Sequence, residues 1–133
     1  MDNRHINEDY AQIAAELIES EESLAHIAVS AATIIYLSSD YKKTSKDKLV
    51  FGQCEKIQDK YKWGIPADFT ITIFEPNVEE FTDDQIRMLI HHELLHVGIE
   101  FKPDGTEAYS IIPHDLEDFK EIINKYGTDW AEI

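Results

Sequence analysis

Apolar positions along the chain change their period several times, and each change marks an element. Ile13, Leu17 and Ile18 recur at helical spacing behind Asn7, whose side chain suits a helix cap, with Glu8 and Asp9 at the positive end. This helix should fade at Glu19-Ser20-Glu21-Glu22, where acidic residues crowd a C-terminus that favours cations. Residues 24–30 show no decisive period. Thr33-Ile34-Ile35-Tyr36-Leu37 has the β-branched and aromatic content of a strand, and Leu49-Val50-Phe51-Gly52-Gln53-Cys54 reads as a second. In residues 68–74, Phe69, Ile71 and Ile73 alternate with Thr70 and Thr72, predicting a third strand with one face on the core.

The next boundary is written in more detail. Thr82 and Gln85 have the spacing of a capping box, Phe81 and Ile86 that of a hydrophobic staple, and Asp83 and Asp84 add charge to the first turn. A helix over residues 82–97 follows, with Gly98 as its stop. Ile99-Glu100-Phe101 and Glu107-Ala108-Tyr109-Ser110-Ile111 then flank Lys102-Pro103-Asp104-Gly105-Thr106, a turn sequence between strand-like runs. Pro113 suits the first turn of a last helix, striped by Leu116, Phe119, Ile123 and Tyr126 and ended by Gly127.

Inside the predicted helix lies His92-Glu93-Leu94-Leu95-His96. Four-residue spacing stacks both imidazoles on one helix face, where they can meet one zinc ion. Glu93 is placed to serve as a general base, taking the proton of a zinc-activated water as it attacks a carbonyl. A carboxylate and two imidazoles on an otherwise apolar helix are costly unless paired, and a metal supplies the partner. Such a site needs a third protein ligand. The long zinc-protease signature is excluded, because Ile99 and Lys102 stand where it requires Gly and His. His5 and His26 read as solvated or structural, and His91 as a surface or supporting residue. His114, one hairpin beyond His96 and next to Asp115, is the candidate ligand. Asp115, Glu117, Asp118 and Glu121 compete with it. Tyr109 has two readings, a packing tyrosine or a donor to a developing oxyanion.

Composition narrows the classes. The chain has 133 residues, enough for one domain, residues 1–133, with a core of its own. Cys54 is its only cysteine, so neither an internal disulfide nor a thiolate zinc ribbon is available, and it reads as a small strand side chain. The formal net charge of −15 argues against nucleic acid as a partner, and the lysines between Lys42 and Lys48 read as a solvated loop. No apolar run approaches a membrane span, and the polar first residues do not form a signal core, so a cytoplasmic protein is expected.

The quoted residues carry a family likeness. Ile90-His91-His92-Glu93-Leu94-Leu95-His96, then Asp104-Gly105, Pro113-His114-Asp115-Leu116-Glu117-Asp118-Phe119 and Tyr126-Gly127-Thr128-Asp129-Trp130 resemble the putative phage metallopeptidase family. The likeness covers about half the chain and departs from the family before Leu49. It implies a zincin-like α/β (α+β) fold, a phage or prophage origin and His114 as third ligand, and brings no substrate. The full expectation is a small twisted, mainly antiparallel sheet packed on the motif helix, with N- and C-terminal helices. Zn2+ would sit on His92, His96 and His114, with Glu93 as catalytic base for peptide-bond hydrolysis in a protein or peptide substrate. The rivals are a non-catalytic zinc-binding interaction module and a metal hydrolase acting on a non-peptide bond.

Overall fold

Asn7 caps the first helix as its position predicts: its side-chain oxygen accepts the Tyr10 N–H at 3.1 Å. The computed structural model describes residues 3–113. In chain order these form β1 (Arg4–Ile6), α1 (Glu8–Ser20), a 3-10 turn at Glu22–Leu24, the short α2 (Ala25–Ala28) and β2 (Ile34–Ser39). Next come β3 (Thr44–Ser45), β4 (Lys48–Leu49), β5 (Gly52–Lys56) and β6 (Phe69–Phe74), then α3 (Asp83–Leu94), β7 (Val97–Phe101) and β8 (Glu107–Ile111). The fold class is therefore mixed α+β. None of the described helices is long and apolar enough to cross a membrane.

A four-stranded sheet in the order β1-β2-β6-β5 forms the base of the molecule. Its outer pairs are antiparallel, but β2 and β6 at the centre run parallel, from Ile34↔Phe69 to Ser39↔Phe74. Parallel neighbours need a long connection, and residues 40–68 supply it. β6 is buried on both faces: Phe69, Ile71, Thr72, Ile73 and Phe74 are all at most 1% exposed. One face is expected on the core; Thr72 and Phe74 of the other face are buried as well, and the Thr72 hydroxyl accepts a hydrogen bond from Arg4 at 3.0 Å. α3 packs against α1 and against β5 and β6. Its apolar stripe, Leu89, Ile90 and Leu94, is 0% exposed and joins Leu17, Leu24, Phe69 and Ile71 in the core.

Three boundaries differ from expectation. The lysine loop is a small hairpin, β3 paired with β4, turning through Lys46 and Asp47 at φ 52° and 64°. Leu49 belongs to that hairpin, so the second predicted strand begins only at Gly52. The Asn77 side chain explains the break, donating to the carbonyls of Lys43 at 2.9 Å and Val50 at 2.7 Å. The third difference bears on the motif. α3 starts with its capping box intact, Thr82 Oγ1 accepting from Gln85 N and Thr82 N donating to Gln85 Oε1, yet it stops at Leu94.

Gly98 is consequently not a helix stop but a strand residue of β7, paired with Ser110. A Cβ there would lie 2.5 Å from Ser110 Oγ and 3.0 Å from both Ser110 O and Ile112 Cγ1. Its lack of a side chain is used for close strand approach. The helix ends instead through tightening, with the His96 N–H donating to the Glu93 carbonyl at 3.1 Å. The β7–β8 hairpin forms as the Pro-Asp-Gly turn predicts, Gly105 taking φ +91°. The predicted last helix lies outside the described residues.

Candidate metal centre

The last turn of α3 presents His92 and Glu93, and the turn that follows presents His96. One ligand atom from each of the three lies within 4.8 Å of the others, a grouping that could hold a metal ion. The two imidazoles are half-buried, their ring centroids 5.3 Å apart at 82°. All three sit at a helix C-terminus, where the aligned peptide dipoles leave partial negative charge that favours a cation.

His96 is fixed twice by the end of the hairpin. Its Nδ1 lies 2.6 Å from the Ile112 carbonyl, and a carbonyl can only accept, so Nδ1 carries the proton and Nε2 the lone pair. In return the Ile112 N–H donates to the His96 carbonyl at 2.7 Å. A backbone acceptor on the distal nitrogen is the usual way a ligand imidazole is held in one tautomer and one orientation.

Glu93 is 5% exposed. Burial pushes its carboxyl up to about 8, and among the described residues no group donates a hydrogen bond to that carboxylate. The strand β5 lies against it. On that strand the Cys54 thiol is pushed up to about 12, first by burial and then by the negative charges of Glu93 and Glu55, so it is no nucleophile near neutral pH. Two imidazoles, one with its tautomer set, and a carboxyl that a cation would help to ionise fit a metal ion: nitrogen and oxygen donors are in reach of one another.

The other candidates fall elsewhere. His91 lies across the helix, its Nε2 3.1 Å from Ser23 Oγ. The His26 ring donates through Nε2 to the Val97 carbonyl at 2.9 Å and so braces the residue after His96. His5 is on the exposed strand β1. Tyr109 donates to Glu107 at 2.8 Å and packs its ring edge-on against Phe69, centroids 5.6 Å apart, which matches the packing reading. Asp104 holds the turn by accepting from Thr106 N and Oγ1, bonds that lower its pKa. His114, Asp115, Glu117, Asp118 and Glu121 lie outside the described residues.

Sequence reasoning missed the Ile112 carbonyl and the packing of β5 on Glu93. The first was within reach of register counting: a hairpin that turns at residues 102–106 and pairs Val97 with Ile111 brings residue 112 to His96. The second is a contact between distant segments and leaves no local pattern.

The described residues thus form an α+β fold with a His-Glu-His group that could hold a metal ion at the end of a helix. The model of the family described as putative phage metallopeptidase matches residues 3–133, and the chain belongs to that family. Searches of curated proteins and of solved structures return no significant match.

Proposed function

We propose that this protein is a zinc-dependent peptidase of zincin type, working as a single domain in the cytoplasm on a protein or peptide substrate. The convergence of His92, Glu93 and His96 within 4.8 Å carries the reading. His92 and His96 are the first two ligands, His96 through Nε2. His114 is the third, and chain reach supports it. The Ile112 backbone is hydrogen-bonded to His96 at 2.6 and 2.7 Å, and two further residues span at most about 7 Å. Asp115 and Glu117 compete only if His114 turns away.

Bound zinc supplies Lewis acidity, which lowers the pKa of a water and polarises the scissile carbonyl. Glu93 removes the water's proton and returns it to the departing amine. Burial raises the Glu93 carboxyl and an adjacent cation would lower it, opposing influences that suit a group taking up and giving back a proton. The apolar stripe beneath, Leu89, Ile90 and Leu94, keeps bulk water from the far side of the site.

Mass-spectrometric metal analysis of protein purified without added metal tests the ligand set. Near-stoichiometric zinc is expected in the wild type and in Asp115→Ala, and its loss in His96→Ala and His114→Ala. Zinc retained in His114→Ala but lost in Asp115→Ala would move the third ligand to the carboxylate, and no zinc in the wild type would sink the proposal.

A further inference from the structure

Gly52 opens strand β5 opposite Ile73 of β6, with ordinary backbone angles, so no turn or left-handed conformation calls for glycine there. Glycine inside a strand otherwise weakens it, through backbone entropy and the loss of a packing group. Space gives the reason. A Cβ built on Gly52 would stand 3.2 Å from Glu93 Cγ, 3.3 Å from Glu93 Oε2 and 3.3 Å from Ile73 Cδ1. Two of these three contacts are on the glutamate at the metal motif, and all are tighter than a Cβ normally tolerates. Strand and helix therefore touch through a missing side chain, and any larger residue must move the carboxylate or the isoleucine.

We infer that Gly52 is a positioning residue for Glu93: the bare backbone of β5 fixes where the carboxylate rests beside His92 and His96. The inference rests on the peptidase reading for its consequence in catalysis and on geometry alone for the contact. Filling the space shifts Glu93 by a few tenths of an ångström. That leaves zinc on its own ligands, but it misplaces the group that must meet a water proton, where rates are steep in distance.

The test is a double-mutant cycle in the full-length, metal-free protein, read by thermal melting, with hydrolysis of fluorescein-labelled casein by the zinc-loaded protein alongside. Gly52→Ala should lower the melting temperature in the wild-type background. In the Glu93→Ala background, which lacks both Cγ and the carboxylate and keeps only the Ile73 Cδ1 contact, most of that cost should disappear. If Gly52→Ala alone does not fold, recovery of folding in the Glu93→Ala background supports the contact equally.

With zinc bound, Gly52→Ala should lose about tenfold in kcat, with KM and zinc content unchanged. Adding Ile73→Val, which deletes only the competing Cδ1, should not restore the rate. An equal melting cost in both Glu93 backgrounds, or full recovery with Ile73→Val, would overturn the inference in favour of simple strand packing. A coupled melting cycle with kcat unchanged would overturn the positioning role. If wild-type protein leaves casein intact, the peptidase reading loses support, while the melting cycle still decides whether Gly52 sets the place of Glu93.

Discussion

Two glutamates divide the molecule. Glu75 follows β6 at one end of the sheet, and its carboxylate is met from several sides: the Tyr10 hydroxyl donates to both oxygens, at 2.9 Å to Oε2, and the Ser38 hydroxyl donates to Oε1 at 2.9 Å. Asn7, the cap of α1, donates in turn to Ser38 at 2.8 Å. Glu93 is more deeply buried and has, among the described residues, no hydrogen-bond donor at its carboxylate. Among the described residues, the fold satisfies the first carboxylate with its own groups and brings no donor to the second. Buried polar groups are ordinarily paired, since an unpaired one costs about 1–3 kcal/mol. A buried carboxyl with a raised pKa beside two imidazoles is a candidate for catalytic function.

The comparison breaks most visibly in catalysis. Glu93→Gln keeps the shape of the side chain and removes its basicity. Peptide hydrolysis should fall by about a thousandfold, while zinc content by mass spectrometry stays at the wild-type level. Glu75→Gln should alter neither. Turnover surviving in Glu93→Gln would show that Glu93 is not the base and that its burial has another cause.

Stability against pH tests the burial of Glu93 next. The Glu93 carboxyl titrates near 8 in the folded protein against an ordinary value of 4.5. A raised carboxyl means that the folded state holds its proton more tightly than the unfolded chain. Its stability is intact below about 4.5 and is lost as pH rises towards 8, because ionising the unfolded chain costs nothing comparable. The loss by pH 8 is at most about 5 kcal/mol. Metal-free Glu93→Gln has nothing to ionise, so its melting temperature should match wild type near pH 4.5 and exceed it increasingly up to pH 8. A difference that stays flat across the series would mean that the carboxyl is solvated after all.

Much of this was readable from local sequence. The Asn7 cap, the Thr82–Gln85 capping box and the Pro103-Asp104-Gly105 turn each write their geometry within a few residues, and each forms as read. The motif histidines also come together, but for a reason different in part from the expected one. The helix ends before His96, and the ring is steered by Ile112 rather than by helical stacking alone. Readings failed where distant segments decide. The parallel pairing of β2 with β6 needs knowledge of where residues 40–68 go, and Gly98 looks like a helix stop until Ser110 is known to lie against it. The Asn77 side chain, which bridges the Lys43 and Val50 carbonyls where the second strand is expected to start, is likewise invisible to periodicity.

The smallest expected effect sharpens the other half of the comparison. Tyr10→Phe removes the hydroxyl that donates to Glu75 and little else, since the ring stays packed against the core. A hydrogen bond to a charged acceptor contributes roughly 1.5–3 kcal/mol when part-buried, and Ser38 still donates to Glu75, so the cost should sit at the low end, about 1.5 kcal/mol by denaturant unfolding. Zinc content and turnover should not change, because the Tyr10 hydroxyl is engaged at Glu75 and not at the motif residues. A Tyr10→Phe variant that folds normally but loses zinc would show that the two ends of the molecule are coupled. The division into a carboxylate for the fold and a carboxylate for chemistry would then have to be given up.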